Sequence, residues 1–173
     1  MAKGNYLKRL LSDLGISETD LTSAVGNLEQ WAKQVKNIES DNNPMASPGT
    51  TSAKGVYQFV DDSVPVGKQR MKNMGFSDKY VNSLSDNPQE WSSEDADAIF
   101  FGNVFAQEGS DPFIKEIAKG NQKARRDAYY KFHHTAPDEA TISRAEKFIP
   151  VPNQPVDALM EEVNKVENIF AKP

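Results

Sequence analysis

The sequence predicts an all-α protein, and three observations predict it. Apolar residues recur at intervals of three and four through most of the chain. Serine, aspartate and asparagine stand where helix starts need caps, and the apolar–polar alternation of half-buried strands is scarce. Helices that each bury one stripe give an all-α domain.

The longest periodic run holds Leu21, Val25, Leu28, Trp31 or Ala32, Val35 and Ile38, with Ser17 or Thr19 as the expected cap. Glu39 follows Ile38 directly, so it sits at the edge of the buried stripe. The Asn42-Asn43-Pro44 stretch ends this helix, because a residue before proline is pushed out of the helical region. Residues 44–55 carry two prolines, two glycines and several Ser and Thr. They read as an ordered loop or a short hairpin, and the 44–60 region is the one place where strand pairing is expected. A helix from about Asp62 to Met74 stops at Gly75, a short one spans Ser77 to Leu84, and Asn87-Pro88 is a break. Ser92 caps a helix with acids in its first turn and Ile99, Phe100, Val104 and Phe105 on one face. Asp111-Pro112 reads as a cap followed by proline in the first turn, for a helix through Ala118 that stops at Gly120. Asn121 opens the next helix, through Tyr129, Tyr130 and Phe132. Thr135 to Asp138 has capping-box spacing and opens a helix to about Phe148.

The domain organisation follows. Residues 1–150 form one domain, and residues 151–173 a proline-rich linker with a final amphipathic helix built on Val156, Leu159, Met160, Val163, Val166, Ile169 and Phe170. A chain of 173 residues can bury a sizeable core, since a domain of about 150 residues hides roughly 70% of its extended surface. Hydrophobic residues make up 38% and charged ones 26%, with no run near the roughly 20 apolar residues that cross a bilayer. A soluble chain without a transmembrane segment is expected. The first dozen residues lack the apolar core and cleavage site of a signal peptide. Zero cysteines exclude disulfides and thiolate metal sites.

The net charge of −5 argues against nucleic acid as a partner. Residues 86–111 hold seven acidic side chains and no Lys or Arg, whereas 115–131 holds six basic ones. Such blocks read as solvated helix faces, or, for the basic block, as a surface for anionic peptide stems.

The informative segment is Ile38-Glu39-Ser40-Asp41-Asn42-Asn43-Pro44 with Gly55-Val56-Tyr57-Gln58-Phe59 behind it. A carboxylate at the last turn of a helix, a polar loop and an aromatic-lined turn together set one acid against a sugar chain. Breaking a glycosidic bond requires a carboxyl that is still protonated near neutral pH, and burial against Ile38, Tyr57 and Phe59 is expected to raise the Glu39 pKa. This pattern resembles the lytic transglycosylase and goose-type lysozyme family, in which Glu-Ser at a helix end is followed by Asn-Pro and then by a Gly-x-x-Gln-Phe or Gly-Leu-Met-Gln turn. The likeness covers residues 35–63, with a looser match over 129–148.

The resemblance implies a mainly helical lysozyme-like fold with Glu39 as catalytic acid. It implies substrate-binding roles for Ser40, in the cleft, for Gly55, where backbone approaches the sugar, and for Gln58, facing the N-acetyl site. Tyr57 is either a stacking platform for a pyranose or a core residue, and Phe59 completes the turn. The family's downstream tyrosine, whose hydroxyl reaches the acid, corresponds loosely to Tyr129 or Tyr130 within Ala128-Tyr129-Tyr130-Lys131-Phe132-His133-His134. The family's Asn-Ala-Gly is absent there. His133 keeps a Tyr-x-x-His spacing from Tyr130 and reads as a cleft or surface residue. Adjacent histidines make a poor metal pair, so zinc is rejected and no cofactor is expected.

Of the nearby acids Asp41, Asp61 and Asp62, none has a catalytic spacing. One acid without a second carboxylate favours a lytic transglycosylase, which acts on the MurNAc–GlcNAc bond and leaves a 1,6-anhydro end. A muramidase hydrolysing the same bond and a non-catalytic glycan-binding module are the alternatives. The expected partner is the peptidoglycan strand. With no export signal and a chain that stops at Pro173, a bacteriophage virion domain acting at the host periplasm and cell wall is expected, its last helix meeting other virion proteins.

Overall fold

The computed structural model describes residues 3–49 and 51–152, and the chain in it is all-α. In order come α1 (Lys3–Asp13), α2 (Leu21–Ser40), α3 (Ser63–Asn73) and α4 (Asp78–Ser83). A one-turn 3-10 segment (Pro88–Glu90) follows, then α5 (Ser93–Phe105), α6 (Asp111–Ala118), α7 (Gln122–Phe132) and α8 (Glu139–Phe148). In the 44–60 region, where a hairpin was an option, a single antiparallel bridge joins Lys54 and Phe59. The predicted linker and final helix lie outside the described residues, apart from Val151 and Pro152.

Helix α5 is the axis of the molecule. The sequence suggested one apolar face, but every residue from Ala96 to Phe105 is buried. The reason lies in its small residues: at Gly102 a β-carbon would stand 2.7 Å from Met71 Cγ, so α3 packs almost backbone to backbone on α5. Helix α2 packs against α1, α6 and α8 around the same core. Trp31, on its inner stripe, is fully buried, lies near-parallel to Phe105, and donates its indole N–H to the Arg125 carbonyl at 2.9 Å. Burying a large apolar side chain contributes about 1.5–3 kcal/mol, so this stripe is what holds α2, and with it Glu39, in place.

The expected helix starts at Ser92 and Asn121 are capped by those side chains, and Ser77 and Asn87, not singled out as caps, act likewise: each accepts a backbone N–H from the following turn. Others differ. Asp20 precedes α2 in helical geometry without a side-chain cap, because a turn from Ser17 has already started the coil. At α6 the position before the helix is Ser110, whose hydroxyl donates to the Phe105 carbonyl, and Asp111 is the first helical residue. At α8 Asp138 rather than Thr135 is the cap and accepts from the Thr141 amide. The N-terminal segment, where no helix was predicted, forms α1 and buries Tyr6, Leu7 and Leu11.

The basic block divides: Lys115, Lys119 and Lys131 are exposed, as a solvated face requires, whereas its two arginines are interior. Arg125 is buried and its guanidinium donates to Gln30, Gln34 and the Asn27 carbonyl on α2, while Arg126 is buried beside it. Arg125 thereby ties α7 to α2, and both arginines lie inside the fold. No helix among the described residues is long and apolar enough to cross a membrane.

Candidate active site

Glu39 sits on the last turn of α2, and the way that helix ends shapes the site. Asp41 and Asn42 adopt left-handed backbone, with φ of 53° and 60°, and their amides close on the Asn37 and Lys36 carbonyls. Asx residues tolerate this geometry best among non-glycines, which makes the sequence a helix stop two residues before Pro44. Arg144 of α8 reaches across and donates to the Asn37 and Ile38 carbonyls and to both Asp41 carboxylate oxygens. A cation here complements the negative end of the helix.

The loop over residues 41–49 and the turn over 54–59 are stitched together above this end. The Gly55 amide and the Gln58 side-chain amide both donate to the Ala46 carbonyl, and Gln58 Nε2 also donates to the Gly55 carbonyl at 2.7 Å. Gly55 has φ +74°, and a β-carbon there would lie 2.8 Å from the Pro88 carbonyl oxygen, so both backbone sign and space demand glycine. Gln89 pins the far side by donating to the Met45 carbonyl. The result is a polar groove of about 400 Å³ lined by Glu39, Asn43, Met45, Ala46, Ser47, Pro48 and Gln58. A more apolar depression of about 250 Å³ lies between α6 and α7, and its two acids, Glu116 and Asp127, are paired with Lys119 and Lys123.

Only 7% of the Glu39 side chain is exposed, and its partners all lie on one oxygen. Tyr129 donates its hydroxyl to Oε1 at 2.7 Å, and His134 Nδ1 lies 3.1 Å from the same atom. His133 Nε2 is 3.6 Å from Oε1 but 3.1 Å from the Tyr57 carbonyl, so its ring proton is donated to that carbonyl. Among the described residues no hydrogen bond reaches Oε2, and Glu39 borders the groove.

Burial pushes the Glu39 carboxyl up and is the largest single influence. The His134 hydrogen bond, the charge of His133 and the Tyr129 hydroxyl together outweigh it, and the carboxyl is held below its ordinary range. The expectation that burial would raise it is thereby corrected: the sequence showed the apolar neighbours but not the two imidazoles. Burial pushes His133 down, whereas the Glu39 hydrogen bond holds His134 up.

The remaining predicted site residues divide clearly. Tyr57 is a core residue rather than a sugar platform: it is buried, its ring stacks on Phe100 at 4.3 Å and 2°, and its hydroxyl donates to Asp97 at 2.6 Å. Asp97 in turn pairs with the buried Lys36 ammonium at 3.0 Å, one turn before Glu39. Phe59 is also interior, edge-on to Trp91. Ser40 donates to the Lys36 and Val56 carbonyls, clamping the turn onto α2, so its hydroxyl proton is engaged within the fold. Of the two tyrosines, Tyr129 meets Glu39. The Tyr130 hydroxyl is buried with no hydrogen-bond partner among the described residues, and burial pushes it up to about 12.

His134 and Arg144 were missed as site residues. His134 stands beyond the end of α7, and its amide, like that of His133, closes on the Tyr129 carbonyl, which aims both rings at the end of α2. No group of three His, Cys, Asp or Glu side chains suited to a metal ion occurs among the described residues. The sequence matches no protein-family model, and no curated protein or solved structure matches it significantly.

Proposed function

We propose that this protein cleaves the glycan strands of peptidoglycan, between N-acetylmuramic acid and N-acetylglucosamine, as a lytic transglycosylase. The observation that carries the reading is Glu39 itself: a shielded carboxyl, bonded through one oxygen only, beside a groove of hexose-accommodating size in which it is the sole acid lining residue. The motif resemblance over residues 35–63 supplies the substrate class.

The chemistry fits one acid used twice. In its protonated form the Glu39 carboxyl gives its proton to the glycosidic oxygen, which receives the electron pair of the breaking C1–O bond. The acetamido carbonyl of the substrate holds the anomeric carbon from the opposite side. Glu39, now a carboxylate, then takes the proton of the C6 hydroxyl as that oxygen closes on C1 and expels the acetamido group. Inverting and retaining hydrolases use a second carboxylate as base or nucleophile. The nearest candidates are occupied or exposed: Asp41 is paired with Arg144, and Asp61 with Lys54.

Mass spectrometry of digested, purified cell walls tests this. The expected products carry an anhydro end and weigh one water less than reducing-end fragments. Reducing ends alone would make the protein a hydrolase, and the absence of any soluble fragment would leave a glycan-binding module.

A further inference from the structure

We propose that Glu39 and His134 act as one acid: a single proton is held between His134 Nδ1 and Glu39 Oε1, and His134 is the residue that keeps it beside the groove at neutral pH. This rests on the reading of Glu39 as the acid of a glycan-cleaving site.

The geometry is a 3.1 Å contact between a carboxylate that is 7% exposed and an imidazole that is 33% exposed. The carboxylate is thus sheltered while the ring touches solvent, the arrangement needed for a proton store that refills. Every charged or titratable neighbour bears on where the proton rests. On α2 there is Glu39. From α7 comes Tyr129, whose hydroxyl donates to the same Oε1. His133, at the end of α7, gives its Nε2 proton to the Tyr57 carbonyl, and burial pushes its pKa down, opposite to that of His134. At the start of α8, Asp138 adds a second negative charge near His134. Arg144 of α8 is engaged with the end of α2 and with Asp41. Two acids therefore flank His134, and the neighbouring histidine does not compete for the proton. The opposite displacements of the two groups, Glu39 downward and His134 upward, describe one proton resting on the imidazole.

In the reaction the pair releases this proton through the Glu39 carboxyl to the leaving oxygen, which takes the electrons of the C1–O bond. His134 is left neutral and Glu39 anionic. The pair takes one proton back from the C6 hydroxyl, and the count closes without another donor. A lone carboxyl in this pocket loses its proton as the pH rises past the carboxylic range; the pair loses it only where the imidazole does.

Two measurements on the full chain decide this. The first is the pH profile of kcat/KM on solubilised glycan strands for the wild type and for His134→Gln, whose amide keeps a donor on Oε1 but does not titrate. The wild-type alkaline midpoint is expected above the ordinary histidine value of 6.5, and that of His134→Gln at least one pH unit lower. A uniform loss of rate with an unmoved midpoint means a merely structural histidine and overturns the proposal, as does an unchanged enzyme. The second is an NMR titration of the His134 ring in the wild type and in Glu39→Gln, which needs neither activity nor a folded His134 variant. A wild-type midpoint above 6.5 that falls by one unit or more in Glu39→Gln supports the shared proton; a midpoint at or below 6.5 overturns it. Retained wall cleavage by Glu39→Gln would defeat the reading of Glu39 as the acid instead, with the NMR result standing separately.

Discussion

Tyr57→Phe tests whether the hydroxyl of the aromatic in the turn beside the groove serves the core or the substrate. The substitution keeps the ring, with its parallel stack on Phe100, and removes only the hydroxyl that donates to the buried Asp97 carboxylate at 2.6 Å. A hydrogen bond to a charged group contributes about 1.5–3 kcal/mol. Asp97 keeps the Lys36 ammonium, so the loss sits at the middle of that range, about 2 kcal/mol. For a chain of this length each kcal/mol moves the midpoint by about 2–4 °C, which predicts a fall in Tm of about 6 °C. Thermal and denaturant unfolding measure this, alongside KM for glycan strands. KM is expected to stay as it is, because Tyr57 is buried away from the groove. Unchanged stability with a raised KM would show that the Tyr57 hydroxyl meets substrate and that the buried Tyr57–Asp97–Lys36 chain does not hold the turn.

Three further outcomes follow from the same geometry. Gly55→Ala is expected to cost at least about 1–2 kcal/mol for the left-handed backbone, with the contact against Pro88 added, so both Tm and wall-clearing rate should fall. Arg144→Met removes the donors that cap α2, since the exposed Asp41 pair adds little; a loss of about 1–3 kcal/mol and faster amide exchange at Ser40 and Asp41 are expected in hydrogen-exchange measurements. Acid should destabilise the fold through two groups. His133 is depressed, so the unfolded chain binds its proton first as the pH drops below 6.5; Glu39 is depressed, so its contribution, present above 4.5, is lost as the pH falls through its folded value. His134, held up, opposes them by contributing below 6.5 and losing that contribution as the pH rises through its folded value. Denaturant melts at pH 4, 5, 6 and 7 should show His133→Gln with the shallower acid slope.

The helical character, the run of α2 and the caps at Ser92 and Asn121 were legible in the sequence because each is a local matter. A period of three to four residues and a Ser, Asn or Asp before it lie within one turn of chain. What could not be read was decided by contacts far apart in sequence. Tyr129 and His134 meet Glu39 across 90 and 95 residues, and Arg144 reaches Ile38 across 106. No periodicity reports which of two adjacent tyrosines, or which of two adjacent histidines, faces a carboxylate on another helix. Tyr57 turned inward for a related reason: its partner Asp97 sits on a helix that looked half exposed and is buried on all sides. The acidic and basic blocks are solvated for the most part, and the same limit hid their three interior members, Asp97, Arg125 and Arg126.

The most direct trial of the central claim is the rate at which Glu39→Gln releases fragments from purified cell walls, with its helical content checked against the wild type. A general acid contributes about 10²–10⁴-fold, so a folded Glu39→Gln is expected to lose about a thousandfold or more of the wild-type rate. A folded variant that cleaves walls within a few-fold of the wild type would contradict the assignment of Glu39 as the proton donor.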